Sequence, residues 1–122
     1  MTTYDLMIKV KNELEAKGFT TSSAKFRNAL DYEVQAHAEK DGKCEWKMSK
    51  KYHMNQFFGL RITFEVVHRH NGTSENQSVD ISIYEWENSS GKRILKERIN
   101  TKMGEKAIMT RINSVVATYE RL

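Results

Sequence analysis

Leu6, Met7, Val10 and Leu14 recur at the spacing that puts them on one face of a helix, while Asp5, Lys9, Asn12 and Glu13 fall elsewhere around it. The spacing predicts a helix over 3–17. Thr2 or Thr3 can cap the free N–H groups at its start, and Asp5 suits the positive end of the helix dipole. Gly18 can take the left-handed position after its last turn, which leaves Phe19 to fold back on Leu14.

From Phe26 the period changes to two. Phe26, Leu30, Tyr32, Val34, Ala36 and Ala38 share one face, and Arg27, Asp31, Glu33, Gln35, His37 and Glu39 share the other. Cys44, Trp46 and Met48 alternate next, after a Lys40-Asp41-Gly42 segment with hairpin chemistry. A three-residue loop with Gly42 left-handed pairs Ala38 with Cys44, Ala36 with Trp46 and Val34 with Met48, and keeps all six on one face. A two-residue loop would mix the faces. A third strand is expected at 57–69, where Phe58, Leu60, Ile62, Phe64 and Val66 alternate with Arg61, Thr63 and Glu65.

The polar run Asn71–Gln77 turns the chain into a fourth strand carrying Val79, Ile81 and Ile83. The Asn88–Gly91 turn leads to a fifth carrying Leu95 and Ile99. Pairing Ile83 with Leu95 also opposes Glu85 to Arg93 and Asp80 to Arg98, so apolar and charge patterns select one register. Residues 104–121 form a second helix with the stripe Ile108, Ile112, Val115, Tyr119 and Leu122. The expected fold is α+β: an N-terminal helix, a five-stranded antiparallel meander and a C-terminal helix, with both helices on one sheet face.

At 122 residues the chain is long enough to bury one core without a disulfide or a metal, and no linker composition divides it. Residues 1–122 are expected to fold as one domain. The single Cys44 cannot close an internal disulfide, which indicates a cytoplasmic, reducing setting. No window approaches the ~20 apolar residues of a membrane span, so no membrane partner is expected.

A net charge of +4 mildly favours anionic partners. The excess is concentrated between Lys92 and Arg111, where seven basic residues face Glu97 and Glu105. The outer face of the last two strands would carry Tyr84 and Trp86 beside Lys92, Lys96 and Arg98, with Lys102 following. That mixture of stacking surfaces and cations suits single-stranded nucleic acid. A second basic cluster, Lys47, Lys50, Lys51, His53 and Arg61, reads more simply as solubilising charge on a loop and sheet edge.

His68 and His70 point the same way on a strand, but no third ligand accompanies them, so no metal site is expected. Cys44 shares its row with Trp46 and Met48 and reads as an inert core thiol. No nucleophile-elbow, zinc-protease, phosphate-loop or dinucleotide motif is present. Neither a cofactor nor an enzymatic activity is therefore expected. The stretch Phe57–Phe64 resembles the aromatic RNA-binding strand of RRM domains, but it lacks the opening basic–glycine pair and sits in the wrong strand order. No family residue carries over.

The leading expectation is a non-enzymatic binding module for RNA or single-stranded DNA. The alternative is a protein-interaction module, an inhibitor, immunity or adaptor protein, that meets an acidic protein through the same aromatic and basic face. That open sheet face would equally suit a homodimer.

Overall fold

Two one-sided helices and a run of alternating strands need a shared interior, and the computed structural model brings their apolar faces together. It describes residues 2–24, 35–48, 50–51, 53–67, 78–87 and 90–122. The elements in chain order are α1 (Thr3–Ala16), β1 (Thr20–Ala24), β2 (Gln35–Glu39), β3 (Cys44–Met48), β4 (Asn55–Val66), β5 (Ser78–Glu87), β6 (Ser90–Asn100) and α2 (Glu105–Arg121).

α1 begins where the sequence signals it. The Thr2 hydroxyl accepts from the Asp5 N–H at 3.0 Å, and the Asp5 carboxylate accepts from the Thr2 N–H at 2.8 Å, a reciprocal capping box. Thr2, not Thr3, is the cap. At the other end Gly18 has φ +92°, its N–H reaches the Glu15 carbonyl, and the Phe19 N–H reaches that of Leu14. This Schellman arrangement turns Phe19 into the core.

The fold is α+β with an antiparallel sheet between an N-terminal and a C-terminal helix. Among the described residues the sheet has six strands, one more than expected. β1 is too short and polar to carry a hydrophobic period, and it pairs with β2 from Thr20 opposite Glu39 to Ala24 opposite Gln35. The remaining order is β2-β4-β5-β6. The expected strand from Phe26 is present over Gln35–Glu39, its earlier part and the Asn71–Gln77 turn lying outside the described residues.

The expected hairpin between β2 and β3 does not form. Both strands pair with β4, Ala38 opposite Ile62 and Cys44 opposite Gly59, along the edge that β5 does not occupy. They make one long interrupted partner for β4. Between them Asp41 (φ +60°) and Gly42 (φ +66°) close a tight turn, with the Lys43 N–H bonded to the Lys40 carbonyl at 3.2 Å. The excursion inserts three extra residues relative to β4. An odd insertion reverses face parity, so Ala36 and Ala38 point into the core while Cys44, Trp46 and Met48 fall on the opposite face.

Leu6, Val10 and Leu14 of α1, Ile108, Ile112, Val115 and Tyr119 of α2, and the inward residues of β2, β4, β5 and β6 form the core. Each fully buried Leu or Ile contributes roughly 1.5–3 kcal/mol. Leu122 lies beyond α2 and is exposed, while Val116 joins the buried stripe in its place.

Tyr119 ties α2 to the sheet. Its hydroxyl accepts from the Lys40 N–H at 3.2 Å and donates to the Leu60 carbonyl at 3.0 Å. The Lys43 ammonium donates to the carbonyls of Tyr119, Glu120 and Leu122, so a residue of the β2–β3 turn caps the end of α2.

Candidate functional site

The face of the sheet opposite the helices carries the odd residues of β4, and four of them, Phe57, Arg61, Thr63 and Glu65, line a cavity of about 480 Å³. β2 adds Gln35 and His37, and β5 adds Tyr84 and Trp86. Strand pairing explains the convergence. Arg61 stands opposite Tyr84, Gly59 opposite Trp86, Thr63 opposite His37 and Glu65 opposite Gln35, and paired residues share a face. Gln56 completes the lining at one end.

Arg61 is the centre of this region and only 4% exposed, so it is not the solubilising edge charge expected from sequence. Its guanidinium carbon lies 3.8 Å from the centroid of the Phe57 ring, and one terminal nitrogen donates to the Ser22 hydroxyl at 3.2 Å. The Glu39 carboxylate sits 3.5 Å from Nε, close enough for an ion pair but too far to relieve Nε of its missing hydrogen-bond acceptor. A buried charge held this way is costly unless paired, and Glu39 is the group that keeps it tenable.

The imidazole of His37 has Nδ1 3.1 Å from the Thr63 hydroxyl. Burial, followed by the nearby positive charge of Arg61, pushes its pKa down to about 4, so the ring is neutral at physiological pH. Burial, followed by a hydrogen bond that the thiol donates to the Glu39 carboxylate, pushes the Cys44 thiol up to about 11. The thiol is not in the core as expected, since it lies half-buried on the pocket face, but it stays protonated and unreactive at neutral pH.

Two aromatic pairs flank the cavity. Tyr84 and Trp86 lie side by side with ring centroids 5.6 Å apart, and Trp46 packs on Phe57 at 3.9 Å. Trp86 is seated on Gly91 across the β5–β6 ladder, where an added Cβ would fall 2.8 Å from its ring. Trp46 is 60% exposed, and Met48 and Met54 are 64% and 56% exposed nearby.

The expected cationic partners are only partly assembled. Asp80 pairs with Arg98 and Ile83 with Leu95 as the charge pattern indicates, but a bulge between Ile83 and Tyr84 shifts the register by one. Arg93 therefore stands opposite Tyr84, and Lys92 moves to the opposite face beside Glu85. The expected Glu85–Arg93 pair is replaced by Glu85–Lys92. Lys96 stays on the pocket face opposite Ser82.

Arg98 also lies on that face, but both its Nε and a terminal nitrogen are held by Asp80, at 2.7 and 3.1 Å. Lys102 lies in the turn between β6 and α2, where its N–H bonds the Asn100 side chain. The second basic cluster is divided. Lys47 is ion-paired with Glu45 at 3.0 Å on the other face from Arg61, and Lys50, Lys51 and His53 sit in the β3–β4 connection.

Gln35, His37, Phe57, Thr63 and Glu65 did not emerge from the sequence as site residues. Their signal was the polar phase of β2 and β4, which marks the face away from the helices without saying that it is concave. Among the described residues, no group of three or more His, Cys, Asp or Glu is placed to hold a metal, and His68 and His70 lie outside them. No helix of the described residues is long and apolar enough to cross a membrane. Compared with protein-family models, with curated proteins and with solved structures, the chain matches none.

Proposed function

We propose that this chain is a small non-enzymatic module of the cytoplasm that binds single-stranded nucleic acid, RNA or DNA, on the sheet face opposite its helices. The observation that carries the reading is the gathering of Phe57, Tyr84 and Trp86 in the lining of one cavity, with Trp46 packed on Phe57 and with Arg93 and Lys96 on the same sheet face along β6. Bases stack on aromatic side chains without regard to sequence, and cations at the rim meet the phosphates. Lys96 makes no ion pair among the described residues, so its charge is available. Arg98 is not, being held by Asp80. A neutral His37 in the cavity lining and a protonated Cys44 on the same sheet face favour binding over catalysis.

Fluorescence anisotropy with labelled single-stranded RNA, single-stranded DNA and duplex DNA tests this. Binding to single strands should weaken steeply between about 50 and 200 mM salt through counterion release. The Arg93→Glu/Lys96→Glu variant should lose it. No binding even at low salt would overturn the reading.

The exposed Trp46, Met48 and Met54 favour a second reading, a protein-interaction module that seats an acidic protein, or a second copy of this chain, against the same end of the sheet. An aromatic-centred interface of that kind should respond much less to salt, and should be lost in Trp46→Ala with Lys96→Glu nearly neutral.

A further inference from the structure

We propose that the cavity on the pocket face takes one planar, uncharged heteroaromatic ring bearing both hydrogen-bond donors and acceptors, a ring of nucleobase type, against the Tyr84–Trp86 wall. The inference rests on the nucleic-acid reading and adds what the cavity itself recognises.

Size admits it, because about 480 Å³ falls within the 300–1,000 Å³ of small-molecule sites. Charge disfavours an anion. Among the described residues the only ionised side chains lining the cavity are Arg61 and Glu65, which are opposite in sign, and Arg61 is already engaged by Glu39, by Ser22 and by the Phe57 ring. A phosphate or carboxylate inside the cavity would face the Glu65 carboxylate and find no lining cation besides Arg61, whose charge Glu39 already balances, since Arg93 and Lys96 are not part of the lining. Beside the Arg61 Nε–H, the polar groups left over are neutral and of both kinds. Gln35 keeps its carbonyl and part of its amide beyond a 3.4 Å bond to Glu65, and His37 keeps Nε2 because Nδ1 is taken up with Thr63. The depressed pKa of His37 keeps that ring uncharged at neutral pH. Donors and acceptors beside aromatic walls are the means by which proteins read splayed-out bases.

Free adenosine, guanosine, cytidine and uridine would be titrated into the full-length chain, following backbone amide shifts by NMR. Tyr84→Leu, Gln35→Leu and Lys96→Glu would be run in parallel, with an oligonucleotide and its abasic counterpart. At least one nucleoside should saturate 1:1 with shifts centred on Gln35, His37 and Thr63. Its affinity should be insensitive to salt, weakened about tenfold or more in Tyr84→Leu, and within about twofold of the parent in Lys96→Glu. If Tyr84→Leu fails to fold, Gln35→Leu carries the comparison, with a loss of about fivefold or more expected.

Oligonucleotide binding that persists in the abasic strand and in the pocket variants, with no nucleoside shifts, would overturn this inference and leave the nucleic-acid reading standing. Nucleoside binding without oligonucleotide binding would do the reverse. Absence of both would remove the two together.

Discussion

Gly59 shows how one residue answers to a distant segment. Its φ of +110° lies in the region that side chains avoid, and a Cβ there would sit 2.0 Å from the Lys43 carbonyl oxygen. That oxygen accepts from the Leu60 N–H at 2.7 Å, so the close approach is where the β2–β3 turn is stitched to β4. Gly59→Ala is expected to lower unfolding free energy by roughly 3 kcal/mol or more in urea denaturation. His37 gives a pH signature. Its pKa of about 4 lies below the usual 6.5, so between those values the unfolded chain binds the proton that the folded chain refuses. This share of the stability is whole above about pH 6.5 and is lost as pH falls through 4. It amounts to roughly 1–2 kcal/mol once the solvent-accessible part of the ring is discounted. The stability difference between the parent and His37→Gln should shrink by that amount from pH 7 to pH 4 in denaturation curves.

At the scale of elements, both helices were legible because caps and periodicity are local. Thr2, Asp5, Gly18 and Phe19 act within a few residues of one another, and their roles follow from spacing alone. The β2–β3 relation was not legible. Asp41-Gly42 announced a tight turn and there is one, yet a turn says only that the chain bends, not that the flanking strands pair. β4 offered both strands an edge with apolar partners, and the three-residue excursion then carried Trp46 to the pocket face. Trp46→Ser should therefore cost about 1 kcal/mol or less in unfolding free energy. A core tryptophan would cost several times that, and a measured loss above about 3 kcal/mol would contradict the outward placement.

Across the whole molecule the charges divide by face. On the helix side Glu97 is taken by Arg111 at 3.1 Å, and Lys9 by Glu105 at 2.6 Å. On the pocket face the cations at the β6 border are Arg93, Lys96 and the neutralised Arg98. Asp80 thus sets how positive that face is. Asp80→Asn removes one negative charge and frees Arg98, so affinity for single-stranded nucleic acid at low salt should rise about two- to threefold. The slope of log K against log salt should steepen by about one phosphate contact, both read by anisotropy. An unchanged slope would mean that Arg98 does not face the strand.

What the sequence determined by itself is local: two capped helices, the strand periods of β4, β5 and β6, and the Asp80–Arg98 register, because each is written in the spacing of neighbouring residues. What only the tertiary structure decided is how those pieces share space. β1 has no hydrophobic period and exists through its pairing with β2. The β5–β6 bulge exchanged Lys92 for Arg93 beside Tyr84, and an odd-numbered excursion moved Trp46 from core to surface. Arg61 reads from its sequence context as a surface charge, but β1, β2 and β4 enclose it at the centre of the candidate site. The division has one cause. Local patterning fixes which way a side chain points relative to its own strand, whereas face, depth and neighbours depend on contacts between residues far apart along the chain.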